Sequence, residues 1–229
     1  MIGRDALFTV EVGVATDRGH RREMNEDSFL ATPPLYVVAD GMGGHVGGAS
    51  ASQAAVAAFR PFLGRSWICR DDLVRAIAEA DSSITGLAIP GLPPPGTTVS
   101  GVGLSYDNES PCWLVFNIGD SRTYRFANDV FEQLTVDHSV VQQLVDAGEL
   151  DPKNVRTHPE RHVVTRGIGG GIPGPPPIDS WLHPAAPGDR LLVCTDGLHG
   201  VLPDATIAAT LAAHPCPIVT ARALIDGAL

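Results

Sequence analysis

Three apolar runs in this chain end on a carboxylate. Leu35 to Ala39 (LYVVA) leads into Asp40-Gly41, Leu191 to Thr195 (LLVCT) into Asp196-Gly197, and Trp113 to Ile118 (WLVFNI) into Gly119-Asp120. Short unbroken apolar runs suit strands buried on both faces. Each acid then sits where a strand leaves the core. The glycine beside it opens backbone conformations closed to other residues and lets a ligand approach closely. A single Asp-Gly step is a common turn pair. Three at the ends of apolar strands point instead to a shared site. Carboxylates gathered there repel one another, and a hard divalent cation such as Mg²⁺ or Mn²⁺, which takes oxygen ligands, is the usual remedy.

The rest of the chain narrows the class. A net charge of −10 argues against nucleic acid or an anionic membrane as the main partner. No run of 18 apolar residues occurs and no basic-then-apolar leader opens the sequence, so no membrane segment and a cytoplasmic location are expected. The four cysteines, Cys69, Cys112, Cys194 and Cys216, form no C-x-x-C pair, which excludes a zinc knuckle or a thioredoxin-like site. With 229 residues, no internal repeat and no linker, the chain reads as a single domain, 1–229.

In chain order, Phe8 to Ala15 alternates like a first strand. Arg22 precedes Glu26 and Asp27, and a guanidinium beside a carboxylate–metal cluster reads phosphate well, because its fork matches two oxygens. Ala49 to Leu63 predicts a helix that breaks near Pro61. Asp71 or Asp72 is a candidate cap for a second helix, whose stripe Leu73, Ile77, Ala80, Ile84 and Leu87 faces a core. Strands are predicted over 97–105 and 111–120; Thr123 to Phe126 is expected to pair with the second of these as a hairpin through Asp120-Ser121-Arg122, and Val130 to Leu134 to follow as a further short strand. A helix from Val140 to Ala147 has Ser139 as its cap and Gly148 at its stop. His138, just before it, reads as a structural hydrogen-bonder rather than a ligand. Patterning is weak across 148–187, and an irregular segment of that length reads as a functional lid. Strand 189–195 and two helices, Asp204 to Ala213 and Pro217 onward, complete the chain. Strands in sequential antiparallel groups, with helices in separate blocks, favour an α+β fold of two packed antiparallel sheets covered by helices.

Seven motifs, taken together, resemble the metal-dependent protein phosphatases of the PP2C (PPM) family in their bacterial form. They are REMNEDSF (22–29), VADGMGGH (38–45), GTT (96–98), NIGDSR (117–122), LTVDHS (134–139), HVVTR (162–166) and LLVCTDGL (191–198), in family order and at family-like spacing. The resemblance implies a four-layer α-β-β-α sandwich with two Mn²⁺ or Mg²⁺ ions in a cleft at one edge of the sheets. It implies that Asp40 bridges both ions and that the Gly41 carbonyl binds one. Asp196 would bind one ion, and Glu26 and Asp27 the other, directly or through waters. Asp120 would serve a third ion, as in many bacterial members. Arg22 and Asp40 would be the catalytic pair, with Arg22 on the phosphate. The implied reaction is hydrolysis of phosphoserine or phosphothreonine by direct attack of a metal-bridging hydroxide. The implied partners are phosphorylated proteins, substrates of a bacterial serine/threonine kinase, acted on by a monomer.

Several departures temper this. The position two residues after Asp40, where some members carry a histidine, holds Met42; His45 is nearby but is assigned no role. Ala49 stands where an acidic residue is usual. The family's final strand, opening in Asp-Asn with a metal-ligand Asp, has no counterpart after Ala221 to Leu229, so one ion is expected to lack a carboxylate and one sheet a strand; Asp226 comes too early to replace it. These departures keep an alternative in view, a catalytically weak or inactive regulatory or phosphoprotein-binding domain. A phosphotransferase of the haloacid dehalogenase type is disfavoured, because its second Asp is replaced by Met42 and Leu198.

Overall fold

The computed structural model describes residues 9–43 and 46–229; Phe8 and His45 lie outside them. Strands β1 (Asp27–Thr32) and β2 (Leu35–Met42) form a hairpin, followed by helices α1 (Val46–Ala58) and α2 (Arg70–Thr85). Then come β3 (Gly96–Thr97), β4 (Val99–Asp107), β5 (Ser110–Ile118), β6 (Arg122–Ala127), β7 (Val130–Gln133) and α3 (Val140–Asp146). Strands β8 (Ile168–Gly169), β9 (Asp179–Pro184) and β10 (Arg190–Cys194) precede three helices, α4 (Asp196–His199), α5 (Asp204–Ala213) and α6 (Pro217–Ala228). Seven strands make one antiparallel sheet, in the order β8-β3-β2-β4-β5-β9 with β1 also on β2; β10-β6-β7 make the second.

Strand alternation sorts the apolar side chains into three layers. Leu35 and Val37 of β2, with Leu114, Phe116 and Ile118 of β5, point to α1 and α2, where they meet Ala55, Phe59, Leu73, Ile77 and Ile84. Their neighbours Tyr36, Trp113 and Val115 point the other way, to Leu191 and Val193 of β10. Leu192 and Cys194 then face Leu198, Ile207, Leu211 and Leu224 of α4 to α6. Helices, sheet, sheet and helices follow in that order, as the resemblance implied. Among the described residues, no helix is long and apolar enough to cross a membrane.

Five local expectations need correction. Residues 9–15 form no strand. Alternation decides which side chains are buried, and Val10 does pack against the layer between the sheets. A ladder needs a neighbouring edge in register as well, and these backbone groups find none. Among the described residues, the outer edges of β1 and β10 are therefore unpaired. A groove of about 660 Å³ opens between them, lined by Val10, Tyr36, Trp113 and Val193. Second, Asp72 does not cap α2. Cys69 does, and Asp72 reaches back from the first turn to accept from the Cys69 backbone N–H at 2.9 Å. Third, the strand foreseen over 97–105 is broken at Thr98, whose backbone turns to Asp40. Fourth, 148–187 is not irregular throughout; β9 pairs with β5 along Cys112–Asn117. Fifth, Thr123 to Phe126 does not fold back on β5, whose edges are taken by β4 and β9; it pairs with β7 and β10 in the second sheet. The helix break near Pro61 and the Ser139 cap, which accepts from the Gln142 N–H, are as foreseen.

Candidate active site

Pairing of β1 with β2 sets Asp27 opposite Asp40, on the face turned toward the second sheet. The main chain at Asp40 is held from both sides. Its N–H donates to Thr98 Oγ1 at 3.1 Å, and its carbonyl accepts from the Thr98 N–H at 2.9 Å and from Thr97 Oγ1 at 2.8 Å. Thr195, at the end of β10, donates its hydroxyl to Asp27 Oδ2 at 2.9 Å, which brings the next residue, Asp196, to the same place. Thr98 Oγ1 also meets Ser121 Oγ at 2.8 Å, drawing in the turn that carries Asp120.

That turn is built from backbone contacts. Gly119 has φ of +105°, a conformation side chains disfavour. Its N–H donates to His138 Nδ1 at 3.0 Å, and its carbonyl accepts from Asn117 Nδ2 at 2.9 Å. His138 is thus the structural hydrogen-bonder foreseen, with its other nitrogen 3.0 Å from Asp179 Oδ2. Burial depresses the His199 pKa to about 3, so its ring is neutral, and Nε2–H donates to the Asp120 carbonyl at 2.9 Å.

Glu26 is placed by close packing. A Cβ on Gly48 would fall 2.5 Å from Glu26 Oε1, so a larger residue there would push that carboxylate aside. Glu26 Oε1 is buried and has no hydrogen-bond partner among the described residues. Orphaned buried oxygens are costly and call for an explanation.

The electrostatics tell the same story. Burial, then the charges of Asp27, Asp196 and Asp120, push the Asp40 carboxyl up to about 9. Burial, then Asp196 and Asp137, push Asp120 up to about 7. Burial also raises Asp27. The carboxylates therefore share a field that none can relieve alone; Asp40 holds its proton at neutral pH and Asp120 is partly protonated there. Among the described residues no three side chains stand as a finished ion cage. The donors nevertheless suit a hard divalent cation: all are oxygens, their excess negative charge is uncompensated, and one buried oxygen is orphaned.

Arg22, Glu26, Asp27, Asp40, Gly41 and Asp196 line one cleft of about 330 Å³. Asp120 is not in its wall; it sits behind, 6% exposed. Arg22 is exposed, and its guanidinium has no ion-pair partner among the described residues. Asp226 is exposed on α6 and does not line the cleft. Three contributors escaped the sequence reading: Thr195, His199, and His162, whose Nδ1 lies 3.4 Å from Asp196 Oδ2. Only the HVVTR motif hinted at the last of them.

No family model matches the chain. Serine/threonine phosphatase stp of Listeria innocua is 33% identical over an alignment of 215 positions that covers 83% of this chain and 78% of that protein. The crystal structure of the Mycobacterium tuberculosis serine/threonine phosphatase PstP/Ppp superposes with a TM-score of 0.83 at 33% identity, covering 93% of this chain and 89% of that one. The catalytic domain of PstP in complex with two manganese ions superposes with a TM-score of 0.80 at 32% identity, covering 93% and 88%.

Proposed function

The chain belongs to the PP2C (PPM) family of serine/threonine protein phosphatases, and we propose that it hydrolyses phosphoserine and phosphothreonine in proteins at the Asp40 cleft, with Mn²⁺ or Mg²⁺ as cofactor. The observation that carries this is the meeting of Asp27, Asp40 and Asp196 under Arg22, with the orphaned Glu26 oxygen beside them. Asp40 would serve both ions of a two-ion site, the Gly41 carbonyl and Asp196 one of them, Glu26 and Asp27 the other directly or through waters, and Asp120 a third position behind it. Divalent ions held there neutralise the carboxylates, polarise the phosphoryl group and activate water.

The chain's own residues do the rest. The Arg22 fork takes two phosphate oxygens and orients phosphorus toward the carboxylate floor. Thr195 fixes the Asp27 carboxylate, and Thr97 and Thr98 fix the Asp40 backbone, so the acids keep their spacing as charge builds on the phosphoryl oxygens. Water supplies the new P–O bond and the serine or threonine oxygen leaves with a proton, so no nucleophilic side chain is required. The natural substrates are proposed to be proteins phosphorylated by a bacterial serine/threonine kinase, met in the cytoplasm by a monomeric enzyme.

The test is phosphate release from a phosphothreonine peptide, with Mn²⁺ and with chelator. Release that requires Mn²⁺ is expected, and Arg22→Ala should lower kcat/KM about 100-fold while leaving the metal requirement in place. A wild-type chain that releases no phosphate with Mn²⁺ would sink the proposal; peptide binding without turnover would establish the regulatory alternative.

Ion binding should also expel protons. With Asp40 raised to about 9 and Asp120 to about 7, the metal-free site is partly protonated at pH 7. Ligating carboxylates must give those protons up. Calorimetric titration with Mn²⁺ at pH 7, in two buffers of different ionisation enthalpy, should show release of at least about one proton per site filled. Equal heats in both buffers would contradict it.

A further inference from the structure

The single turn α4 is among the shortest elements and touches most of the site. Its first residue is Asp196. Thr195, just before it, holds Asp27, and its last residue, His199, holds the Asp120 carbonyl. Three acids thus depend on where one turn sits. One turn cannot hold itself, because nucleation costs more conformational freedom than its few hydrogen bonds return. The carbonyls at its end have no further turn to bond.

Arg156 supplies those bonds. Its Nη1 donates to the carbonyls of His199 at 2.9 Å and Leu202 at 3.3 Å. Its Nη2 donates to Gly200 at 3.2 Å and Val201 at 2.9 Å. One planar fork serves four consecutive carbonyls, a task that matches its rigid donor array. The guanidinium comes from a 3-10 turn, Pro152–Thr157, inside the 148–187 segment. Beyond that turn the chain runs to His162, beside Asp196, and to Arg166, whose Nη1 donates to the Asp179 that contacts His138.

We infer that Arg156 is a positioning residue for the reaction: by clamping the end of α4 it fixes Asp196, Thr195 and His199, and couples the spacing of the acids to the placement of the 148–187 segment. This rests on the phosphatase reading above and adds to it a residue that touches neither substrate nor ion.

Lys153 is the only lysine in the chain, is exposed, and lies three residues before Arg156. A lysine-specific endoprotease therefore reports on this turn alone. The untagged full chain and Arg156→Gln are compared by cleavage rate at Lys153; these two and Arg156→Lys, which adds a second lysine to the turn and is left out of the cleavage assay, are compared by Mn²⁺ binding followed through the paramagnetic resonance of free Mn²⁺ and by peptide turnover. Arg156→Gln should be cut at least about tenfold faster, bind Mn²⁺ about tenfold more weakly, and lose kcat with little change in KM. Arg156→Lys, with a point charge in place of the fork, should fall between the two in Mn²⁺ affinity and kcat. Cleavage of Arg156→Gln at the wild-type rate would overturn the clamp. Faster cleavage with unchanged Mn²⁺ affinity would overturn the positioning role. Failure of the phosphatase reading shows separately, as a wild type that binds Mn²⁺ and resists cleavage but releases no phosphate.

Discussion

Asp40→Asn is expected to lower Mn²⁺-dependent kcat/KM at least about 10³-fold, the loss that follows when a two-ion centre is deprived of its central ligand. The metal-free variant should unfold no more easily than the wild type. Asp40 is held in a buried field of like charge that raises its carboxyl to about 9 from an ordinary 3.8. Between those values the folded chain binds the proton more tightly than the unfolded chain does. The contribution to stability is therefore fully present below about pH 4 and is lost as pH rises toward 9. Asp120, raised to about 7, and Asp27 act in the same direction. The metal-free wild type should thus lose stability from pH 5 to pH 9, beyond whatever its other groups contribute. The asparagine variant should show a shallower slope, because a neutral amide replaces the acid. Thermal melts with chelator at several pH values read this directly. A metal-free Asp40→Asn chain that melts far below the wild type at pH 8 would show Asp40 to be structural.

Arg122→Leu should cost about 3–5 kcal/mol of folding stability, as breaking one side of a buried ion pair does. Arg122 Nε donates to both oxygens of Asp137, at 2.9 and 3.0 Å, and Nη2 to Oδ2 at 2.7 Å. Its Nη1 donates to Tyr124 Oη at 2.9 Å. The Asp137 side chain is only 6% exposed, so leucine at 122 strands a charge with little water to solvate it. Gln133 Nε2 still reaches Asp137 Oδ1 at 2.9 Å, which offsets part of the loss. The double change Arg122→Leu, Asp137→Leu should recover much of it, since an apolar pair of similar volume escapes the desolvation penalty. Urea unfolding of the two single variants and the double variant closes the cycle. A single-variant loss under about 1 kcal/mol would mean that the pair behaves as a surface contact.

What the sequence could reveal was whatever a local pattern encodes. The apolar runs before Asp40, Asp120 and Asp196 are strands because each is buried on both faces, and their ends converge because the sheets pack face to face. The Ser139 cap and the stripe on α2 are equally local. Pairing is not. Residues 9–15 alternate like a strand but meet no edge in register. The short β9, DSWLHP, shows no alternating pattern and forms because β5 offers it a partner. Thr195, His199 and Arg156 act through backbone carbonyls or carboxylates far away in sequence, and no periodicity marks such contacts. Gly48 reads as part of a loop until Glu26 is seen against it.

The unpaired outer edge of β10 bears on how the molecule behaves in a crowd. A bare strand edge bordering an apolar groove is a template on which another chain can add a strand. No strand among the described residues pairs with it; long-range repulsion from a net charge of −10 opposes such addition. Acidification toward the isoelectric point, about 5.1, removes that repulsion while leaving the edge in place. Colloidal stability in this protein is thus a property of its charge rather than of its sheet, and mild acid is where the two come apart.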